Sequence, residues 1–232
     1  MATTKLKERI KKDQFEAFAW QEGHLVCGID EVGRGCLAGP VVTAAAIIMP
    51  NKKNPIIKDS KLLSQEELQK AYKWLTKNAF YSFSVVNHRD IDSQNIYQAT
   101  LKAMKRSLMQ LFGQIHQLPS SVLIDAMPLS LTDTPYNEIN VYHFPFGEKR
   151  SSSIAAASII AKVRRDEIMR RLSTSFPHYS FSRHKGYGTK VHQEAIRAHG
   201  HSIIHRLRFI SNKEFSKELT DAGEQQTICG NY

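Results

Sequence analysis

The sequence predicts an α/β fold organised around one main domain, and three observations carry that expectation. Short runs rich in Val, Ile and Ala alternate with longer segments whose apolar residues recur at helical spacing. Hydrophobic residues are 41% of the 232 and charged residues 23%, close to the soluble globular average, so the chain can bury a core. The longest apolar run, Val41 to Met49, is too short to span a bilayer, and its Val/Ala/Ile content suits a buried strand.

Residues 5–22 read as a basic amphipathic helix that turns Leu6, Ile10, Phe15 and Phe18 inward before Gly23. Leu25 to Ile29 and Val41 to Ile48 are β-rich runs, joined by a loop that carries Gly33-Arg34-Gly35. Ser64 followed by Glu66 and Glu67 marks the start of a helix reaching about Lys77, and Phe80 to Val86 alternates as a strand. Asn95 to Phe112 is a clear helix, with Ile96, Leu101, Met104, Leu108 and Leu111 on one face. Val122 to Ile124 and Ile139 to Phe144 are further strand segments. Ser151 to Leu172 is a long helix, Ala/Ile-rich at first and then basic, so one half packs and the other faces solvent or phosphate. An irregular basic-aromatic stretch from Phe176 to Tyr187 leads to a helix over Lys190 to His199.

A net charge of +10 and a pI near 9.5 create an attractive field for polyanions, nucleic acid above all. The N-terminus, with Lys5, Lys7, Arg9, Lys11 and Lys12, lacks the apolar core of a signal peptide, and the expected location is the cytosol. Cys27, Cys36 and Cys229 form no C-x-x-C pair, so reduced thiols are expected rather than a disulfide framework or structural zinc.

Two positions are candidates for metal chemistry, against the plainer reading of solvated strand ends beside turns. Asp30 and Glu31 close an apolar run and lead into the glycine loop, so both serve one cluster if the strand ends or bulges there. Asp125 repeats the arrangement after Val122-Leu123-Ile124. Hard oxygen ligands without a His/Cys pattern, on a basic chain, point to Mg²⁺ or Mn²⁺, and two such ions are the usual solution for phosphodiester hydrolysis. His199, His201 and His205 have no clear fourth partner for zinc and read as core, phosphate or surface histidines.

Gly28 to Gly35 (GIDEVGRG), Asp59-Ser60-Lys61, Asn95-Ile96 with Ala99-Thr100, Leu123 to Asp125, Ala155 to Lys162 and His184 to Tyr187 together resemble ribonuclease HII in order and spacing, over roughly residues 15–210. The resemblance implies a ribonuclease H-like mixed sheet flanked by helices, with a helical C-terminal extension that helps hold a duplex. The family's ligands fall on Asp30, Glu31 and Asp125. Its fourth acid usually closes a Lys-Gly-Asp run, and here Phe146-Gly147-Glu148 stands in that place, a departure that makes Glu148 the fourth ligand with a longer arm than aspartate. The rival Asp166 lies far along the Ser151 to Leu172 helix and reads as an i,i+4 partner of Arg170. By the same resemblance Gly33, Arg34, Gly35 and Tyr187 detect the 2′-hydroxyl at an RNA–DNA junction. Lys61, Lys162, Arg164, Arg165, Arg183 and Lys185 are expected phosphate contacts.

The expected organisation is a basic helical cap (residues 1–24), a ribonuclease H-like catalytic core (25–175), a helical substrate-binding part (176–218) and a disordered tail (219–232). The implied activity is endonucleolytic cutting of the RNA strand of RNA/DNA hybrids and nicking 5′ of ribonucleotides embedded in duplex DNA, leaving 5′-phosphate and 3′-hydroxyl ends. No membrane and no obligate protein partner is expected, and the chain is read as a monomer. Two rivals share parts of this pattern: a junction resolvase, which has no use for a 2′-hydroxyl sensor, and a silent hybrid-binding protein, which a non-functional Glu148 would produce.

Overall fold

The computed structural model describes residues 4–5 and 11–211. In chain order the elements are β1 (Thr4–Lys5), α1 (Gln14–Gln21), β2 (Val26–Val32), β3 (Val41–Ile48), α2 (Gln65–Asn78), β4 (Ala79–Val86), α3 (His88–Gln94), α4 (Ile96–Phe112), β5 (Ser121–Asp125), β6 (Asn140–Phe144), α5 (Gly147–Arg150), α6 (Ser152–Ser175), α7 (Phe181–His184), α8 (Lys190–His199) and α9 (Leu207–Ser211). Short 3-10 turns occupy Ser60–Leu62 and Pro177–Tyr179. The sheet order is β1-β6-β5-β2-β3-β4. β2 runs parallel to β5, as β5 does to β6, while β3 is antiparallel to both β2 and β4. The expected mixed sheet flanked by helices is therefore present.

Strand β3 explains the layering. Val42, Ala44, Ala46 and Ile48 face α2 and α6, whereas Ala45 and Ile47 join Met104, Leu108 and Leu111 of α4 on the other side. A strand covered on both faces reads as an unbroken apolar run, as Val41 to Ile48 does. Ser64 starts α2 with a reciprocal capping box, its hydroxyl accepting the Glu67 N–H at 3.2 Å and its own N–H reaching the Glu67 carboxylate at 2.8 Å.

Helix α6 lies along β2. A Cβ on Gly28 would sit 2.1 Å from the Ser153 carbonyl carbon, and one on Gly33 would sit 2.1 Å from Arg165 Nε. Five strand steps of about 3.3 Å and twelve helical steps of about 1.5 Å both span roughly 17 Å, so strand and helix stay in register between those points. Ala155, Ala156, Ala157 and Ala161, all buried, permit the close approach.

The N-terminal segment differs from expectation. Thr4–Lys5 adds a strand beside β6, and the helix begins only at Gln14; Leu6 and Ile10 lie outside the described residues. Phe15 packs on Tyr142 and Phe144, but Phe18 is 63% exposed. The reason is that α1 docks through polar groups. Asp13 accepts the Ser152 N–H at 2.7 Å and Glu16 the Ser153 N–H at 3.0 Å, satisfying orphan donors at the start of α6. Glu16 is fully buried, and burial pushes its carboxyl above the ordinary value.

The stretch after α6 is more regular than expected, holding the Pro177–Tyr179 turn and α7. Tyr179, Phe181, Ile196 and Ile204 pack with Met169 of α6 and with Leu37 and Ala38 from the glycine loop. The C-terminal elements thereby pack against the glycine loop and α6. Cys27 and Cys36 are free buried thiols; Cys229 and residues 219–232 lie outside the described part.

Candidate active site

β2 neither ends nor bulges at its acids. It continues in regular register with β3 through Asp30 opposite Ala44, Glu31 opposite Thr43 and Val32 opposite Val42. Its pleat therefore sends Asp30 toward α6, on the side of Gly28, and Glu31 toward the α4 side, with Cys27 and Ile29. What stops is the other edge, because pairing of β2 with β5 ends at Ile29 opposite Ile124. Beyond that point the β2 edge is open, and Asp125 closes β5 beside it.

Glu148 enters from α5. The preceding Gly147 N–H donates to Asp125 Oδ1 at 3.0 Å, tying the turn to the strand end. Glu148 Oε1 accepts the Ser158 hydroxyl at 3.2 Å and lies 3.5 Å from Lys61 Nζ. Ser158 also meets Ser60 at 2.9 Å, so Asp59-Ser60-Lys61 holds a lysine over the cluster, with Asp59 accepting the Lys61 N–H. Arg34 Nη1 reaches Glu31 Oε1 at 3.3 Å.

These acids act on one another. Burial raises the Asp30 carboxyl well above the usual range, and the charges of Glu31, Glu148 and Asp125 add to it. Glu31 is pushed up to about 7 by burial, against the pull of Arg34 and with added repulsion from Asp125 and Glu148. Burial also raises Glu148, while Lys61 opposes the shift. Glu31 Oε2 is buried without a hydrogen-bond partner. Among the described residues no three Asp, Glu, His or Cys groups are already set to hold a metal ion. The cluster's chemistry, four oxygen-donor carboxylates under-neutralised by one lysine and one arginine, fits hard divalent cations.

Asp166 belongs elsewhere. It is buried and pairs with Lys162 at 2.9 Å, not with Arg170 as expected, and from Ser158 it lies about 12 Å along the helix. The pairing follows from burial: Lys162 is one turn back on the inner side, whereas Arg170 is exposed. Lys162, an expected phosphate contact, thus already has an anionic partner.

Gly33, at φ +97, lets the loop settle on Arg165. Arg165 was expected at phosphate but is fully buried. Its guanidinium donates to Pro40 and Lys185 carbonyls at 2.9 Å and to Ala38 at 3.3 Å. Fully buried Arg206, unforeseen from sequence, binds the Gly39 carbonyl twice and the Arg34 carbonyl at 2.9 Å. The i, i+4 series Ala157, Ala161, Arg165, Met169 carried a signal for the first of these, since it puts Arg165 on the packed stripe. The Leu37 N–H bonds the Gly186 carbonyl at 2.8 Å, bringing Tyr187 beside the loop, and Tyr187 is 42% exposed. Lys61 and Arg183 are exposed at the surface, Lys185 is half-buried, and Arg164 is engaged by the Tyr72 and Phe83 rings.

The sheet order, the helices on both faces and the carboxylates beside the ends of two neighbouring strands define an enzyme of the ribonuclease H-like fold. The family model for ribonuclease HII matches residues 27–212. A ribonuclease HII from Caldanaerobacter subterraneus is 41% identical over 206 residues, covering 88% of this chain and 82% of that protein. One from Rickettsia felis is 42% identical over 186 residues, covering 80% and 91%. Among solved structures, the PCNA:RNase HII complex from Archaeoglobus fulgidus aligns with a TM-score of 0.67 at 22% identity, covering 82% of this chain and 96% of that one. Bst-RNase HIII in complex with Mn²⁺ gives 0.66 at 24%, covering 90% and 74%. These structural likenesses show the fold. The chain belongs to the ribonuclease HII family and is a ribonuclease H, a hydrolase of RNA in RNA/DNA hybrids.

Proposed function

We propose that this ribonuclease H also nicks duplex DNA 5′ of embedded ribonucleotides, initiating their removal, and leaves 5′-phosphate and 3′-hydroxyl ends. The observation that carries this reading is the junction of the carboxylate cluster with the Gly33-Arg34-Gly35 loop and Tyr187, joined through Arg34 to Glu31 and through Leu37 to Gly186. Asp30, Glu31, Asp125 and Glu148 would hold Mg²⁺ or Mn²⁺ as a two-ion site. Ions bound there supply water activation and stabilisation of the departing 3′-oxygen.

The side chains do the rest. Lys61 and Arg34 limit the repulsion among the acids and present cationic heads to phosphate. Gly33, Gly35 and the Tyr187 phenol line the place where a 2′-hydroxyl distinguishes ribose from deoxyribose. Arg183 and Lys185 extend the cationic surface along the duplex, with Lys162 behind them. The chain would act in the cytosol as a monomer without an obligate protein partner; among the described residues no helix is long and apolar enough to cross a membrane.

A duplex carrying one ribonucleotide, incubated with Mg²⁺, with Mn²⁺ or with a chelator, tests this. The expected result is a single nick 5′ of the ribonucleotide that the chelator abolishes. Absence of the nick with both ions, or equal cutting of an all-DNA junction, would sink the reading.

A further inference from the structure

Behind Tyr187 lies a chain of buried imidazoles that the carboxylate chemistry does not use. His192 on α8 and His205 before α9 are 0% and 1% exposed. His184 of α7 stacks on His192 at 4.4 Å, and Tyr179 meets His205 at 4.9 Å. His201 acts on His205 from the adjoining turn. His205 also lines a cavity of about 560 Å³ whose charged and titratable members are His88, Arg89, Asp92 and His201. The neighbouring Arg206 guanidinium is turned to the Gly39 and Arg34 carbonyls.

Hydrogen bonding fixes the protonation of both rings. The Ser202 N–H donates to His205 Nδ1 at 2.9 Å, so that nitrogen offers a lone pair and neutral His205 carries its proton on Nε2. His205 Nε2 lies 3.0 Å from His192 Nε2 and donates there. His192 then holds its proton on Nδ1, which donates to the Tyr187 carbonyl oxygen at 2.9 Å. One donor direction runs from Ser202 to Tyr187, and each link requires the next. A second proton on either ring would set N–H against N–H at one link. Burial works the same way, lowering His192 to about 4 and His205 to about 3.

Arg165 holds the Lys185 carbonyl and Leu37 the Gly186 carbonyl, and His192 does the same for Tyr187. Lys185 at φ 52 and Gly186 at φ 83 precede Tyr187 outside any regular element. Among the described residues the Tyr187 carbonyl also accepts the local Thr189 N–H at 2.8 Å, which does not tie the loop to the body of the protein. His184 fastens the residue before, accepting the Gly186 N–H at 3.2 Å and donating to the Tyr179 carbonyl at 2.7 Å.

We propose that His192 and His205 are positioning residues for ribonucleotide recognition, a neutral relay that holds the Tyr187 main chain and so sets where its phenol meets the sugar. This rests on the reading of Tyr187 as a 2′-hydroxyl sensor. A displaced ring costs most where one ribose stands alone in DNA, and least on a continuous hybrid, where neighbouring sugars also carry the hydroxyl.

Two measurements on the full chain test it. In protein with ¹⁵N-labelled histidines, His192 is expected as the Nδ1–H tautomer and His205 as the Nε2–H tautomer, both neutral at about pH 5. The opposite tautomer at His192, or either ring titrating at its ordinary 6.5, overturns the relay. The second measurement compares kcat/KM on a single-ribonucleotide duplex with that on a continuous hybrid. His192→Phe, which keeps a ring without donors, is expected to lower the ratio about tenfold, and His192→Asn, whose amide reaches the Nδ1 position, to recover most of it. Partial unfolding lowers both rates alike, so an unchanged ratio in His192→Phe overturns the proposal if Tyr187→Phe does lower it. An unchanged ratio in Tyr187→Phe overturns the sensor reading itself, and the proposal with it.

Discussion

At Asp30 the protein buries a carboxyl and crowds it with the charges of Glu31, Glu148 and Asp125, an arrangement that costs stability and that bound cations would relieve. Asp30→Asn and Asp125→Asn are each expected to lower hybrid cleavage on the order of a thousandfold or more while leaving the fold and hybrid binding largely intact. Turnover retained in either, measured on protein of unchanged thermal midpoint, would remove the metal assignment. Glu148 tests the departure from the family's usual aspartate. Glu148→Gln is expected to cut activity strongly, whereas Glu148→Asp retains more because a carboxylate remains for the cation and for Ser158. Asp166→Asn serves as comparison. Asp166 is buried against Lys162, so its loss is expected to cost about 1.5–3 kcal/mol of stability with little effect on chemistry per folded molecule. An inactive but stable Asp166→Asn beside a fully active Glu148→Gln would exchange their roles.

Helix α6 and strand β2 form the unit on which the site is built. Ser158 on the helix reaches Glu148, and Arg165 seven residues on reaches both the glycine loop and the Tyr187 segment. Gly28 sets their spacing, since a methyl group there would collide with the Ser153 and Ile154 backbone at 2.1–2.2 Å. Backbone cannot yield as a side-chain tip can. Gly28→Ala is therefore expected to destabilise the protein by about 3 kcal/mol or more and to lower activity through a displaced α6. A thermal midpoint equal to that of the unaltered chain would show that helix and strand are less tightly locked than these contacts imply.

Across the whole molecule, a net charge of +10 makes association with a polyanionic duplex salt-dependent. Each phosphate contact contributes about −0.9 to the slope of log affinity against log salt, and removing one at Arg183 with Arg183→Gln is expected to flatten the slope by about one unit. A slope unchanged by that substitution would take Arg183 off the phosphate path. The buried Arg165 and Arg206 are a different class: their charges are occupied by loop carbonyls, so their substitution should disturb the loop's shape and not simply subtract a phosphate contact.

By itself the amino-acid sequence determined the alternation of strands and helices, the buried strand β3, the capped start of α2, and Asp30, Glu31 and Asp125 as acids placed near strand ends. All of these are written in local pattern: period, capping chemistry, and carboxylates next to apolar runs. Only the tertiary structure decided which groups meet. No local signal says that β2 continues past its acids while its β5 edge falls open, because that depends on a partner nearly a hundred residues away. The charge pattern of α6 likewise suggested that Arg165 faces phosphate and that Asp166 pairs with Arg170. Which side of the helix lies against β2 reverses both, since a buried guanidinium or carboxylate must take the hydrogen-bond partners within reach, here the carbonyls of the glycine loop and the ammonium of Lys162.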